Sequence, residues 1–245
     1  MKKKILILGH RGYRKKFPEN TILAFTKAFE FGADGIECDI QKSSDGVYFV
    51  FHDADFDRMT GISGNINSFS ADRIRSMKID GKENIPDIDT FFDMLPAAKF
   101  INIELKEETI ILDDCYVLIN KLNAKKINCE ILISSFKHSL LPPFKSAGYK
   151  IGMLYEVEDL EKSVLNRIID LFLHRPWSVN LDADMFTKPK SFLFKLFILA
   201  AKLLRIKFIF WTVNTEEQFN AVSGIAHSII TDDVEELIRI RGEKK

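Results

Sequence analysis

Net charge is what this chain lacks most plainly: 35 lysines and arginines cancel 35 aspartates and glutamates over 245 residues. No global basic field is therefore available to recruit nucleic acid or an anionic membrane, and any partner has to be argued from local groups. Cysteine is also scarce. Cys38, Cys115 and Cys129 are odd in number and far apart, which excludes a regular disulfide framework. Each reads as a small buried residue, and a reducing compartment, the cytoplasm, is expected. No secretion signal is expected either. Met1-Lys2-Lys3-Lys4 followed by Ile5 to Leu8 starts like one, but the apolar run is short and meets Gly9-His10-Arg11 where a cleavage site would stand, so it reads as a first strand. No linker, long repeat or low-complexity tract divides residues 1–245, which are read as one domain.

An uninterrupted spanning segment is likewise absent. Ser191 to Phe210 comes nearest, but Lys195, Lys202 and Arg205 interrupt one helical face and a strand pattern begins directly after them. The segment reads as an outer helix with a wide buried face; residues 191–205 resting on a lipid interface is the alternative.

What is present centres on Gly35-Ile36-Glu37-Cys38-Asp39-Ile40. Side chains two apart on a strand share a face, so Glu37 and Asp39 converge while Cys38 faces the other way. Two buried carboxylates side by side repel and lose hydration, and a metal ion, a shared proton or cationic partners must make them tolerable. The same spacing recurs at Glu104 and Lys106, and His10 and His52 follow two other strand-like runs.

Eight strands are expected, near Lys4 to Gly9, Gly35 to Ile40, Phe100 to Leu105, Glu130 to Ser134, Lys150 to Tyr155, Val179 to Asp182, Lys207 to Val213 and His227 to Thr231. Helices are expected near Thr21 to Phe31, Ile110 to Ala124, Lys137 to Ala147, Glu158 to Leu173, Pro189 to Leu204, Glu216 to Ser223 and Val234 to Arg241. This alternation is the pattern of a (β/α)₈ TIM barrel, with a doubly wound open sheet as the rival. Residues 47–89 are too long for an ordinary crossover and read as a small insertion between the second and third strands, over the carboxy-terminal mouth.

In such a barrel the strand ends share one mouth. Glu37, Asp39 and Glu104 would offer hard oxygen ligands to one divalent cation, Mg²⁺ or Ca²⁺, in preference to zinc. Arg11 and Lys106 would attract an oxyanion, phosphate above all. His10 and His52 are the groups suited to move protons near neutral pH, as phosphodiester cleavage requires on both sides of phosphorus.

The sequence resembles the glycerophosphodiester phosphodiesterase family. The resemblance rests on His10-Arg11-Gly12, Pro18-Glu19-Asn20-Thr21, Glu37-Cys38-Asp39, Asp45-Gly46, His52-Asp53, Asn102-Ile103-Glu104-Leu105-Lys106, Ser134-Ser135-Phe136, Trp211-Thr212-Val213-Asn214 and Ile230-Thr231-Asp232, in that order from about Ile5 to Leu237. It implies a (β/α)₈ barrel with a small insertion, one divalent metal on Glu37, Asp39 and Glu104, His10 and His52 as the acid/base pair, and Arg11 and Lys106 around the phosphate. The implied substrate is a small glycerophosphodiester, and the products are an alcohol and glycerol 3-phosphate. Two departures stand out. Phe17 occupies a position where a small residue is common and would reshape one wall of the pocket, and Ser43-Ser44 replaces a threonine-containing turn.

Several alternatives stay open at the level of sequence. Glu19 and Asn20 either form a helix-capping turn or brace the site from behind. Trp211 either walls the glycerol site or fills the barrel. The same site would also serve a lysophospholipase D or phosphoinositide-type reaction in which a substrate hydroxyl attacks and a cyclic phosphate forms. A barrel that binds a phosphorylated ligand without turnover is the reading from outside enzymology.

Overall fold

The computed structural model describes residues 4–95, 99–125, 127, 129–187 and 192–243. The opening Met1-Lys2-Lys3, the expected helix start at 189–191 and the Ser191 end of the lipid-interface segment lie outside these residues.

A nine-stranded sheet closes on itself. Its strands are β1 (Leu6–Gly9), β2 (Gly35–Lys42), β3 (Tyr48–Val50), β6 (Phe100–Leu105), β7 (Glu130–Ser135), β8 (Lys150–Tyr155), β9 (Ser178–Asp182), β10 (Lys207–Trp211) and β11 (Ala226–Thr231). A separate two-stranded hairpin, β4 (Lys78–Ile79) and β5 (Glu83–Asn84), completes the set. The spatial order is β1-β11-β10-β9-β8-β7-β6-β2-β3, and β1 also pairs with β2 through Leu8 to Gly35 and Gly9 to Ile36. Without β3, eight parallel strands form a ring. This is the (β/α)₈ barrel, and the closing β1–β2 pairing excludes the open doubly wound sheet.

The helices are α1 (Ile22–Glu30), α2 (Asp57–Thr60), α3 (Ala71–Ser76), α4 (Ile88–Met94), α5 (Leu112–Ala124), α6 (Pro142–Ser146), α7 (Val157–His174, interrupted at Ser163), α8 (Phe192–Leu203), α9 (Glu216–Val222) and α10 (Val234–Glu243). Apart from α2 and α3, their apolar faces cover the outside of the ring. Ile36, Cys38 and Ile40 of β2 join this outer core with Phe25 of α1 and Phe91 of α4, whose rings meet edge to face at 5.2 Å. Each fully buried side chain of this size contributes roughly 1.5–3 kcal/mol. A smaller apolar cluster of Leu8, Phe100, Leu132, Ile209 and Ile230 packs with Trp177 and Trp211.

Two local differences from the sequence reading have clear causes. The helix expected over 137–147 is split into a single 3₁₀ turn, His138–Leu140, and α6. Pro142 and Pro143 lack the N–H groups that a continuous helix needs, and Pro142 is well suited to begin a new one. β2 runs to Lys42, past the expected Ile40, because β3 pairs antiparallel with its end, Ile40 facing Val50.

β3 also opens the segment between β2 and α4. It holds α2, the 3₁₀ turn Ile66–Ser68, α3 and the β4–β5 hairpin, and it has its own core of Phe49, Phe51, Phe56, Met59, Ile66, Ile74, Ile79 and Ile85. Asp87 then caps α4 by accepting from the Thr90 N–H. No helix among the described residues is long and apolar enough to cross a membrane. On α8, Phe194, Phe197, Ala200 and Ala201 are buried, whereas Phe192 and Leu203 are 78% and 73% exposed.

Candidate active site

The carboxy ends of the strands surround a cavity of about 610 Å³, lined by His10, Arg11, Glu37, Asp39, His52, Glu104, Lys106 and Trp211 among others. The period of two along β2 turns Glu37 and Asp39 inward, and the parallel register sets Asp39 beside Glu104 of β6. Glu37, Asp39 and Glu104 are buried, and each places a carboxylate oxygen within 4.8 Å of the others.

The electrostatics of this trio are severe. Burial, then the neighbouring Asp39 and Glu104, push the Glu37 carboxyl well above its ordinary range. Burial also pushes Glu104 up to about 7, against the pull of Lys106. Asp39 goes the other way: burial alone would raise it, but Lys106 and Arg11 hold it below the usual carboxylate range. The Lys106 ammonium bridges Asp39 Oδ1 at 3.1 Å and Glu104 Oε1 at 2.6 Å. Burial and mutual repulsion work against ionising Glu37 and Glu104 beside Asp39. A divalent cation with oxygen preference would relieve that penalty, so the donor set fits one.

Arg11 is drawn into the site by its backbone as well as its side chain. Its φ of 52° aims its N–H at Glu37 Oε2, 3.0 Å away, and Gly12 continues the turn at φ 84°. A Cβ on Gly12 would lie 2.6 Å from the Ala24 carbonyl carbon, so the turn tolerates no side chain there. The Arg11 guanidinium donates to Glu19 Oε1 at 2.7 Å and lies 3.5 Å from Asp39 Oδ2. Glu19 also accepts from Arg58 at 2.6 Å, and Asn20 donates to Asp39 Oδ2 at 3.0 Å. The cap of α1 is Thr21, which accepts from the Ala24 N–H at 3.1 Å. Glu19 and Asn20 thus touch Arg11 and Asp39 directly.

His10 and His52 are each held through Nδ1 by an aspartate, one distant in the chain and one adjacent. His10 Nδ1 lies 2.7 Å from Asp232 Oδ1, and His52 Nδ1 lies 2.7 Å from Asp53 Oδ1. With Nδ1–H donating to the aspartate, Nε2 is left as the basic nitrogen of each ring. Burial lowers the pKa of both imidazoles below the ordinary value, against the aspartates that raise it. His52 reaches the mouth because the Phe51 N–H donates to the Asp39 carbonyl at 3.1 Å, which folds the chain after β3 back onto β2. Gln41 Nε2 fixes that return by donating to the carbonyls of His52 at 2.8 Å and Asp53 at 2.5 Å.

Sequence reasoning singles out none of Asp232, Asp53 and Asn214 for a task, and it passes over Arg14, Arg58 and Gln41. Asn214 Nδ2 donates to Asp232 Oδ2 at 2.9 Å, and Arg14 Nε lies 3.5 Å from Asp232 Oδ1. The available signal lies in the His52-Asp53 dipeptide and the Ile230-Thr231-Asp232 run. Trp211 lines the cavity with its ring perpendicular to Phe136, centroids 5.9 Å apart. Phe17 calls for a correction. It packs edge-on against Tyr13 at 5.8 Å and lies outside the cavity lining, so it reshapes no wall. Tyr13 is fully buried beneath the turn that follows β1 and offers Phe17 an apolar seat there.

Comparison with known proteins agrees with this fold. A glycerophosphodiester phosphodiesterase of Caldanaerobacter subterraneus subsp. tengcongensis is 31% identical over 249 aligned residues, covering 97% of this chain and 98% of the relative. The crystal structure of a glycerophosphodiester phosphodiesterase from Thermotoga maritima superposes with a TM-score of 0.80 at 30% identity, covering 96% of this chain and 98% of that one. An Oleispira antarctica phosphodiesterase, solved with the product sn-glycerol-3-phosphate, shares the fold at a TM-score of 0.78 and 19% identity, with 96% of each chain covered. Residues 10–236 match the Glycerophosphoryl diester phosphodiesterase family. Eight strands in a closed ring, a mouth of buried acids and histidines, and this match over nearly all of its length make the chain a member of the glycerophosphoryl diester phosphodiesterase family of hydrolases.

Proposed function

We propose that this protein hydrolyses glycerophosphodiesters to an alcohol and glycerol 3-phosphate, with His10 and His52 moving the protons. In this reading one divalent cation, Mg²⁺ or Ca²⁺, is held by Glu37, Asp39 and Glu104, and Arg11 and Lys106 attract the phosphate. The observation that carries the reading is the matched pair of 2.7 Å contacts from His10 Nδ1 to Asp232 and from His52 Nδ1 to Asp53, within one cavity that also holds two cations.

One histidine takes a proton from water through Nε2 as the water oxygen attacks phosphorus. The other, in its imidazolium form, gives its Nε2 proton to the alcohol oxygen as the bond of that oxygen to phosphorus breaks, so no free alkoxide is released. Asp232 and Asp53 hold the reactive tautomers and stabilise each ring while it carries charge. Arg11 and Lys106 bind non-bridging oxygens through N–H donors already fixed by Glu19, Asp39 and Glu104. When bound, a divalent cation would supply further charge stabilisation for those oxygens and for the three carboxylates.

Phosphorus NMR of metal-stripped protein with glycerophosphocholine, with and without Mg²⁺ or Ca²⁺, tests the proposal. Glycerol 3-phosphate formed only with added metal is the expected result. A cyclic phosphate would make a substrate hydroxyl the nucleophile, and binding without turnover would leave a ligand-binding barrel.

Three coarser features belong to the same reading. Residues 47–89 are read as an insertion that partly roofs the mouth, supported by the reach of Arg58 to Glu19 and Asp53. Free Cys38, Cys115 and Cys129 support a reducing, cytoplasmic setting. Exposed Phe192, Leu199 and Leu203 support peripheral contact of residues 191–205 with lipid.

A further inference from the structure

The base of the barrel, at the far end from the mouth, carries a hollow of opposite charge. It encloses about 460 Å³ between the end of α8 and the start of β11, and Lys202, Arg205 and Lys207 line it with Phe208 and Ile225. The Arg205 N–H donates to the Lys202 carbonyl at 3.0 Å, and at a φ of 58° Arg205 turns the chain from α8 into β10, so the three cations share one tight corner. No carboxylate stands among the described residues of the lining. Among the described residues, Lys202, Arg205 and Lys207 form no ion pair, and neither does Lys195 further up α8. In a chain with 35 basic and 35 acidic residues, that is a local excess of positive charge. Cations in a last helical turn also suit the helix dipole, but that role needs neither a shared hollow nor Lys207 from the next strand.

An apolar face adjoins the hollow. α7 and α8 pack side by side. Leu165, Ile169 and Phe172 recur at helical spacing on α7 and are exposed, as are Phe192, Leu199 and Leu203 on α8, so each helix turns one apolar stripe outward. Towards the base, Leu173 and Leu203 are 72% and 73% exposed. Lys195 and Lys202, two turns apart, edge the α8 stripe. Apolar stripes bordered by unpaired cations match a membrane interface, where leucine and phenylalanine reach the acyl boundary and ammonium groups stay among headgroup phosphates. A second copy of the chain would set the same unpaired cations against one another across a two-fold axis. Nucleic acid would meet the cations and leave the stripes in water.

We propose that the α7–α8 face docks this protein on the surface of an anionic bilayer, with a lipid phosphate seated among Lys202, Arg205 and Lys207. The inference deepens the lipid contact named above and is independent of the hydrolytic reading. Lys207 opens β10 and Ala226 opens β11, whereas the mouth lies at the carboxy ends of the strands. A protein docked by its base therefore keeps its mouth open to water and to water-soluble substrates.

The test is flotation of the purified protein with vesicles of equimolar phosphatidylglycerol and phosphatidylcholine, against vesicles of phosphatidylcholine alone. The protein should float with the anionic vesicles and not with the neutral ones. Raising salt should release it, since screening shortens the reach of charge from about 10 Å at 0.1 M to about 3 Å at 1 M. K202Q/R205Q/K207Q should lower the partition coefficient about 10²-fold, which is about fivefold for each cation removed near the surface. L199Q/L203Q should also release the protein while leaving every cation in place. Both variants should keep the native melting temperature and the native kcat/KM on glycerophosphocholine. Equal flotation with the two kinds of vesicle would overturn the anionic docking and leave a lipid contact without charge preference. Flotation with neither would overturn both, and the hydrolytic reading would stand in either case. Variants that float like the native protein would overturn the assigned face, and a sedimenting dimer that L199Q/L203Q dissociates would give that face to a second copy.

Discussion

Asp232 Oδ1 lies 2.7 Å from His10 Nδ1, although 222 residues separate them in the chain. The contact raises the His10 pKa against the burial that lowers it. Removing the carboxylate as Asp232→Asn should therefore move the His10 limb of the pH–rate profile to lower pH and reduce kcat by about 10²-fold or more. Asp53→Asn should do the same to the limb that belongs to His52, whose pKa its neighbour also raises. The variant that shifts the acid limb identifies the base, and the one that shifts the alkaline limb identifies the acid. Profiles that superpose on the native one would separate these aspartates from the reaction.

His10→Ala and His52→Ala should each lower turnover by about 10²–10⁴-fold while leaving the circular dichroism spectrum unaltered. Near-native rates in both variants would remove the histidines from the proton transfers.

The three acids can be tested by metal affinity. Glu37→Gln should weaken binding of Mg²⁺ or Ca²⁺ in calorimetry, and unchanged affinity would take Glu37 out of the ligand set. Asn20→Ala should cost about 10–100-fold in affinity or activity, because its side-chain amide holds Asp39 in place at 3.0 Å.

Stability offers a test away from the site. Asp34 accepts from the Ile7 N–H at 3.0 Å and from Lys4 and Arg241, which ties β1 and α10 to the turn before β2. Burial would raise its pKa, but these donors outweigh it and the folded-state value is depressed. The stabilisation is therefore complete above the unfolded pKa of about 4 and is lost as pH falls through the lower folded value. Asp34→Asn should cost about 1–3 kcal/mol at neutral pH, a drop of about 2–4 °C in Tm per kcal/mol. The gap from the native protein should close in strong acid, and a constant gap across pH would contradict the linkage.

Much of the fold is legible in the sequence, because buried parallel strands are apolar on both faces and stand out from the amphipathic helices between them. Glu37, Asp39 and Glu104 are legible for the opposite reason, since a carboxylate inside such a strand has no bland explanation. Asp53 and Asp232 are harder to read. An aspartate at a strand end is ordinary, and it becomes a partner for histidine only when the ring closes or the chain folds back. Arg58 is hidden likewise: its contacts with Glu19 and Asp53 depend on how a compact segment with its own core is docked. The break between His138 and Pro142 is written plainly in two consecutive prolines, which the helical period of the surrounding residues masks.

The pairing of β1 with both β2 and β11 has a consequence for how the molecule is made. On the ribosome the first strand emerges long before its second neighbour, and until residues 226–231 are available one edge of β1 has nothing to pair with. His10 waits with it, since its orienting aspartate is the residue directly after that last strand. Competence for chemistry therefore arrives in a single late event, and an incomplete chain that stops short of β11 has its acids and His52 in sequence yet no finished pocket.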